Sequence, residues 1–227
     1  MTPSLSAGCV IAVLGAESTG KTELARALAT RLAQRGIEAT LVPEYLREWC
    51  EREARTPRPD EQAGIAAEQT RRIADAARHG VAVADTTALM TAVYSDMLFD
   101  DPSLYADALA AQSRYAMTLL TALDLPWVAD GLQRDGPHVR EPVDGRVRGA
   151  LGRAGIPFAV VHGRGPERLM NAWTALNLAT QAEAPASRLG TGSDAPTGWR
   201  GACDKCSDPV CEHRMFTDLL HQRASKG

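Results

Sequence analysis

Residues 15–22 have the side chains and glycine spacing of a phosphate loop. Their sequence, GAESTGKT, fits the pattern G-x-x-x-x-G-K-[ST] and lies between an apolar run and an amphipathic stretch. The amides of such a loop and of the helix that follows attract phosphate, because peptide dipoles favour negative charge there. In this pattern the Lys21 ammonium contacts the outer phosphates of a nucleotide and the Thr22 hydroxyl binds Mg²⁺. The predicted nucleotide contacts are Gly15, Glu17, Ser18, Thr19, Gly20, Lys21 and Thr22.

Two acidic residues, Glu44 and Asp85, follow apolar runs elsewhere in the chain. In an open parallel sheet the carboxyl ends of the strands share one edge, and ligands bind at that edge. An acid at the position of Asp85 suits Mg²⁺, held directly or through water. The same residue type also suits the N-cap of a helix, so a structural role is the alternative.

Glu44 comes directly after Pro43, at the end of a predicted strand. Transfer of a phosphoryl group to a hydroxyl needs a carboxylate that orients the hydroxyl or takes its proton. Glu44 is the first candidate for this role, and Asp85 is the second. Tyr45 and Arg47 add a ring and a cation to the predicted acceptor pocket. The alternative for Glu44 is an acid in a helix first turn, where the helix dipole favours it.

A charged segment with Arg134 and Arg140 follows the fourth apolar run. Two prolines within residues 131–145 favour a loop. Arginines on such a loop suit a lid that closes over a triphosphate and stabilises charge in the transition state. Solvent-exposed charges without a catalytic role are the alternative.

Five short apolar runs alternate with helical patterns along the first 182 residues. The predicted strands are residues 9–14, 39–42, 81–84, 125–129 and 158–161. The predicted helices are residues 21–35, 59–78, 101–122, 143–154 and 166–182. Strands that alternate with helices indicate an α/β fold, in which helices cover both faces of a parallel sheet. We therefore predict a P-loop NTPase domain at residues 1–182, with a parallel five-stranded sheet.

The composition is typical of one medium-sized soluble domain. The chain has 227 residues, 44% of them hydrophobic, and a net charge of −3. This balance argues against a strongly basic nucleic-acid-binding protein and a polybasic membrane-binding protein. No apolar run reaches the roughly 18–20 residues of a transmembrane helix, and the N-terminus lacks the features of a signal peptide. We expect a cytoplasmic protein with a small-molecule partner, no nucleic-acid or membrane partner, and a homo-oligomer as an open alternative.

The composition changes after the predicted domain. Residues 183–200 are rich in Ala, Pro, Gly, Ser and Thr, which is typical of a linker. The tail, residues 201–227, contains Cys203, Cys206, Cys211 and His213. Three thiols and one imidazole suit a tetrahedral structural Zn²⁺ site. An iron–sulfur cluster and free thiols are the alternatives, whereas a disulfide is disfavoured in a reducing cytosol.

Four blocks of the sequence together resemble one family. They are VLGAESTGKT at residues 13–22, PEYLRE at 43–48, ADTT at 84–87 and ADGLQR at 129–134. Their order and spacing are similar to those of the ribosylnicotinamide kinase domain of the NadR type, in the P-loop kinase and AAA-like ATPase superfamily. The resemblance covers residues 9–180, most of the chain.

This resemblance implies ATP, Mg²⁺ and transfer of the γ-phosphate to the 5′-hydroxyl of nicotinamide riboside, which gives nicotinamide mononucleotide. By position, it assigns the phosphate loop to ATP and Asp85 to metal or substrate. Glu44, Tyr45 and Arg47 would line the acceptor pocket, and the segment around Arg134 would form the lid.

One position departs from the family, which has an Asp-Thr-Asp pattern after the third strand. The second acid of that pattern is Thr87 in this chain. Because one carboxylate is missing, two further functions stay open. The protein could phosphorylate another nucleoside or nucleotide, or it could be an ATP-binding regulatory ATPase whose metal-binding tail contacts a partner.

Overall fold

The computed structural model describes residues 5–128 and 137–182. The chain divides into two units, Met1–Pro185 and Ala186–Gly227, and all described residues belong to the first. The linker and tail predicted for residues 183–227 therefore lie outside the described residues.

The described part is an α/β structure. Its strands are β1 (Val10–Leu14), β2 (Ala39–Val42), β3 (Val81–Asp85), β4 (Met117–Thr121) and β5 (Ala159–Val161). Its α-helices are α1 (Lys21–Gln34), α2 (Tyr45–Glu53), α3 (Pro59–Ala77), α4 (Ala88–Phe99), α5 (Tyr105–Gln112), α6 (Arg140–Arg153) and α7 (Gly165–Ala182). A 3₁₀ turn, Pro137–Val139, precedes α6.

The five strands are parallel and lie in the order β2-β3-β1-β4-β5, which confirms the predicted five-stranded sheet. All residues of the central strand β1 are buried, as expected for an apolar strand with neighbours on both edges. Val13 lies opposite Asp85, and Leu14 lies opposite Leu120. Because the chain order reverses at β1, a ligand crevice is expected at the carboxyl end of this strand.

Helices cover both faces of the sheet. Ile11, Val13 and Leu119 pack with α1 and α7, whereas Leu14 and Leu120 pack with α4 and α6. The helix α3 covers the β2–β3 half of the second face. Within the described residues, no helix is long and apolar enough to cross a membrane.

The fourth strand lies earlier in the chain than the sequence pattern predicts. The strand predicted at residues 125–129 and the helix predicted to extend to residue 122 are both wrong, because α5 ends at Gln112 and β4 is Met117–Thr121. Since β4 lies between β1 and β5, its backbone forms hydrogen bonds with a neighbouring strand on each edge. Pro126 has no amide hydrogen for such a ladder, so the run that contains it does not fit a central strand.

Two helices were not predicted, and one begins earlier than predicted. The helix α4 lacks an apolar stripe, because its residues from Ala88 to Val93 are all buried. The helix α2 follows Glu44 directly, as in the alternative considered for that acid. The helix α6 begins at Arg140, inside the segment predicted as a loop, and Pro142 in its first turn is compatible with helix geometry.

We expect Leu120→Ala to destabilise the protein much more than Val128→Ala. Leu120 is fully buried on β4, whereas 61% of Val128 is exposed. Truncation of a buried leucine costs about 2–5 kcal/mol, whereas exposed substitutions stay within about 0.5 kcal/mol. Urea denaturation followed by circular dichroism measures both variants. Equal losses in stability would contradict the observed position of β4.

Candidate functional site

The phosphate loop continues β1 and ends in the first turn of α1. Three of its residues have positive φ angles, namely Gly15 at 147°, Ser18 at 54° and Gly20 at 76°. Gly20 is the N-cap of α1, and its position provides no side-chain cap for the first amides of the helix. Uncapped amides at a helix N-terminus, together with this glycine-rich backbone, form a cradle that suits an anion.

The cradle is supported by the side chain of Thr121, the last residue of β4. Thr121 Oγ1 lies 3.1 Å from the Leu14 carbonyl and 2.7 Å from Thr19 Oγ1, and the Thr19 hydroxyl donates to the Ala16 carbonyl at 2.7 Å. A Cβ atom on Gly15 would lie only 2.0 Å from Thr121 Oγ1. Glycine is therefore required at this position both by its φ angle and by the approach of β4.

A buried arginine near the start of α7 also holds the loop. Arg168 is 3% exposed. Its Nη1 donates to the Thr19 carbonyl at 2.6 Å, and its Nε donates to the Gly163 carbonyl at 2.7 Å. Its Nη2 pairs with Asp124, which also accepts the Gly163 amide at 2.7 Å. The guanidinium thus joins the phosphate loop to the segments that follow β4 and β5.

The lysine of the loop also contacts the loop backbone. Lys21 Nζ donates to the Ala16 carbonyl at 2.8 Å, and Thr22 follows it in the first turn of α1. Glu17 and Ser18 are half-buried, and the Ser18 hydroxyl donates to the Val128 carbonyl at 2.8 Å. All predicted residues of the loop therefore belong to one continuous strand–loop–helix unit.

Asp85 ends β3, the strand beside β1. It is 2% exposed, and its Oδ1 has no hydrogen-bond partner among the described residues. The next residue, Thr86, has a φ of 68°, a strained conformation for a β-branched residue that costs about 1–3 kcal/mol. A buried acid beside strained backbone is typical of functional sites.

Thr87, at the position of the missing acid, has a structural role. It is the N-cap of α4, where its side chain accepts the Leu89 amide. Its hydroxyl donates to Gln112 Oε1 at 2.7 Å, and Gln112 Nε2 donates to Thr118 Oγ1 at 2.8 Å. This buried network accounts for a threonine at the position, because the hydroxyl is used within the core.

The predicted acceptor residues lie at the start of α2. Val42 lies opposite Ala84, so Glu44 and Asp85 follow neighbouring strands at the same edge of the sheet. Glu44 is the N-cap residue of α2, and its Oε2 lies 3.6 Å from Arg47 Nε. The guanidinium of Arg72 lies over the face of the Tyr45 ring, with Cζ 4.3 Å from the ring centroid.

Gln69 of α3 holds the backbone on both sides of Glu44. Its Oε1 accepts the Tyr45 amide at 2.7 Å, and its Nε2 donates to the Pro43 carbonyl at 3.3 Å. Gln69 is itself 2% exposed. The position of Glu44 at the sheet edge therefore depends on a buried amide of the neighbouring helix.

Of the two predicted lid arginines, Arg134 lies outside the described residues. Arg140 is the first residue of α6 and is 8% exposed. Its Nη1 donates to the Leu125 carbonyl at 2.9 Å, whereas its Nε and Nη2 have no partner among the described residues. A buried guanidinium in which two nitrogens have no partner among the described residues is suited to bind an anionic ligand.

A cavity of about 300 Å³ adjoins the phosphate loop on the side of α7. Its walls come from the first turns of α1 and α7 and from the segment after β4. The lining residues are Gly20, Glu23, Leu24, Ala27, Leu125, Gly165, Pro166, Arg168 and Leu169.

The predicted zinc ligands, Cys203, Cys206, Cys211 and His213, lie outside the described residues. Within residues 5–128 and 137–182, no group of three or more His, Cys, Asp or Glu side chains could hold a metal ion.

A glycine-rich anion cradle at the carboxyl end of the central strand, in a parallel sheet of this order, defines a P-loop domain with an α/β fold. Residues 10–168 match the AAA domain family. This is more than half of the chain, and the chain belongs to that family.

The fold is also that of NadR, as the sequence resemblance suggests. A crystal structure of NadR protein in complex with NR aligns with a TM-score of 0.62 at 23% identity, covering 80% of this chain and 53% of that chain. A second, in complex with NAD and AMP-PNP, aligns with a TM-score of 0.60 at 21% identity, covering 80% and 51%. This chain therefore spans about half the length of those NadR chains. No curated protein matches the chain in sequence.

Three residues that shape the site, namely Gln69, Thr121 and Arg168, are not predicted from the sequence. The pattern does not indicate Thr121 because it predicts the fourth strand at residues 125–129, after this residue. A signal for Arg168 was present, since a cation in the first turn of a helix opposes the helix dipole and needs a compensating partner. The sequence pattern does not reveal that partner, Asp124.

We expect Gly15→Ala to destabilise the protein by about 1–3 kcal/mol, because the new Cβ would overlap Thr121 Oγ1. The double variant Gly15→Ala, Thr121→Ala should lose less than the sum of the single variants, since the two positions are in contact. Urea denaturation gives all three values. Gly64→Ala is the matched control, because no atom lies within 4 Å of the added Cβ. Additive losses would contradict the close approach.

Cys50 of α2 is buried beside Trp49 and Ile65. Burial, and then the nearby Glu44 carboxylate, raise the pKa of the Cys50 thiol to about 11. The folded protein therefore keeps this thiol protonated over a pH range in which the unfolded chain has lost the proton. The thiol contributes stability below pH 9.0, and this contribution is lost as the pH rises toward 11.

We expect the free energy of unfolding to fall more between pH 8 and about pH 10.5 in the wild type than in Cys50→Ala. Urea denaturation at the two pH values measures the difference. Iodoacetamide at pH 8 should leave Cys50 unmodified in the folded protein, because alkylation requires the thiolate. Rapid alkylation of Cys50 under those conditions, detected by peptide mass spectrometry, would show that the thiol is not protected.

Proposed function

We propose that the protein is an ATP-dependent kinase that transfers the γ-phosphate of ATP to the 5′-hydroxyl of nicotinamide riboside. The observation that carries the proposal is the position of Asp85 beside the phosphate loop. Its buried Oδ1 has no hydrogen-bond partner among the described residues, and Asp85 lies opposite Val13 on the strand that leads into the loop.

The cradle of the phosphate loop would bind the phosphates of ATP. The Lys21 ammonium, which donates to the Ala16 carbonyl at 2.8 Å, is held at the loop and has three N–H donors. With ATP bound, it would contact the β- and γ-phosphates. The cavity between Gly20 and α7 offers room for the rest of the nucleotide.

The residues present also fit Mg²⁺. A buried carboxylate oxygen without a hydrogen-bond partner is costly, and binding of a cation removes that cost. Mg²⁺ prefers oxygen ligands and is usually bound by one or two protein groups together with substrate phosphates. Thr22 and Asp85 would hold the ion, which when bound would neutralise phosphate charge.

Glu44 would orient the acceptor hydroxyl and accept its proton. Two contacts support this assignment, because Gln69 holds the backbone on both sides of Glu44 and Arg47 lies beside its carboxylate. At the position of the family's second acid, this chain has Thr87, whose hydroxyl donates to Gln112 in the core. We therefore assign only Glu44 and Asp85 as the acids of the reaction.

Arg140 would stabilise the charge on the transferred phosphoryl group, and Arg134 would act with it. The support comes from the two buried nitrogens of Arg140 without a partner among the described residues. Such a guanidinium offers charge-assisted hydrogen bonds where negative charge develops. Water exclusion by the segment around these arginines would complete the site.

The proposed acceptor rests on the sequence blocks that resemble the ribosylnicotinamide kinase domain. The block at residues 43–48 includes Glu44, Tyr45 and Arg47, which lie at the carboxyl edge of the sheet. The NadR structures that share the fold contain NR in one case, and NAD together with the ATP analogue AMP-PNP in the other. Among these ligands, NR corresponds to the proposed acceptor and AMP-PNP to the donor of a phosphoryl group.

An acceptor screen tests the proposal. We expect Mg-ATP and nicotinamide riboside to give ADP and nicotinamide mononucleotide, measured by liquid chromatography, with little turnover of uridine, cytidine or adenosine. Lys21→Ala should lower kcat/KM at least about 100-fold while the protein stays folded, because a charge-stabilising donor is removed. Glu44→Gln should lower kcat, whereas Glu51→Gln, at an exposed position of α2, should leave kcat unchanged and is the matched control.

The outcomes separate the candidate functions. Turnover of another nucleoside instead of nicotinamide riboside would overturn the acceptor and keep the kinase. ATP hydrolysis that needs no acceptor would favour a regulatory ATPase. Wild-type activity in Lys21→Ala would contradict the role of the phosphate loop.

A further inference from the structure

We infer that Arg168 is a positioning residue for nucleotide binding, which acts by fixing the backbone of the phosphate loop at Thr19. The inference rests on the nucleotide-binding part of the proposed function and does not depend on the acceptor. Arg168 lies outside the G-x-x-x-x-G-K-[ST] pattern and is 149 residues from Thr19 in the chain.

The contact acts on one peptide plane of the loop. The Thr19 carbonyl accepts from Arg168 Nη1 at 2.6 Å. Because the carbonyl and the amide of a trans peptide point in opposite directions, this bond also directs the Gly20 amide away from the guanidinium. The side chain of Thr19 is held separately by Thr121 and the Ala16 carbonyl. Both the backbone and the side chain of Thr19 are therefore held.

The guanidinium of Arg168 is itself fixed by contacts with the rest of the domain. It is 3% exposed, and its three nitrogens contact three segments of the chain. Asp124 compensates its charge and accepts the Gly163 amide at 2.7 Å, so the acid is tied to the backbone as well. A planar fork with donors in fixed directions satisfies this arrangement, and a lysine ammonium does not.

The location of Arg168 carries an electrostatic cost. A cation in the first turn of a helix opposes the helix dipole, and burial of a guanidinium requires desolvation. A well-packed apolar side chain often stabilises a core position as well as a buried ion pair does. An apolar side chain at this position would lose all three contacts of the guanidinium, and among them the contact with Thr19 is the one that reaches the phosphate loop.

The test is a calorimetric titration with Mg-ADP, which requires no acceptor. Arg168→Lys should raise the Kd at least about tenfold, because hydrogen bonds to a charged group are lost. Arg164→Lys is the matched control, since Arg164 is exposed four residues earlier, and its Kd should stay within about twofold of wild type. In steady-state assays Arg168→Lys should raise the KM for ATP and leave the KM for the acceptor unchanged.

A second control separates positioning from general stability. Leu32→Ala removes a fully buried side chain near the far end of α1, so it should destabilise the protein without changing the Kd for Mg-ADP. All titrations are made at a temperature at which circular dichroism shows each variant to be folded. If Arg168→Lys does not fold, Asp124→Asn replaces it, with an expected rise in Kd of at least about threefold.

The results are decisive in each case. A Kd within twofold of wild type for Arg168→Lys, or an equal loss of affinity in Leu32→Ala, would overturn the inference. A wild-type protein that does not bind Mg-ADP would overturn it together with the nucleotide-binding part of the proposed function. A wild type that binds Mg-ADP but transfers no phosphate to nicotinamide riboside would overturn the acceptor alone, and the Arg168 result would stand.

Discussion

The close approach of β4 to the phosphate loop is the contact on which the site depends. A Cβ on Gly15 would lie 2.0 Å from Thr121 Oγ1, so the loop and the strand meet with no space for another side chain. The Thr121 oxygen lies within hydrogen-bond distance of the Leu14 carbonyl and of Thr19 Oγ1. Because β4 is paired with β1 along the sheet, the shape of the loop is set by the sheet itself.

The buried charges at this edge of the sheet fall into two groups. Arg168 and Asp124 satisfy each other and the backbone around them, so they stabilise the loop. Asp85 Oδ1 and two nitrogens of Arg140 have no partner among the described residues. Such groups are costly in the absence of a ligand and become favourable when a cation or a phosphate binds. The first group thus builds the scaffold, and the second group is suited to bind a cation and an anion.

The proposed acceptor side of the site depends on contacts between helices. Glu44 is held through its backbone by Gln69 of α3, while Tyr45 packs against Arg72 of the same helix. Just after Asp85, the Thr86 amide donates to the Val13 carbonyl at 3.1 Å, which holds the strained backbone at Thr86. Both acids therefore lie on backbone that is held by buried contacts. Precise placement of this kind is what the proposed phosphoryl transfer would require, since positioning and electrostatics supply most of the catalysis in such reactions.

The sequence by itself determined the fold class, the phosphate loop and the position of Asp85 at a strand end, because these follow from local patterns of apolar residues and glycine spacing. The sequence pattern predicted β4 at residues 125–129, because a local pattern does not show that this strand has a hydrogen-bonded neighbour on each edge. A strand with two such neighbours does not tolerate Pro126. The sequence pattern also did not predict α4, because the residues from Ala88 to Val93 are buried on every side of the helix and leave no apolar stripe. Only the tertiary structure decided the roles of Thr121, Gln69 and Arg168. The contacts of Gln69 with Tyr45, of Thr121 with Thr19 and of Arg168 with Thr19 join residues 24 to 149 positions apart in the chain. Contacts at such separations arise from packing of the sheet and helices, which no local pattern records.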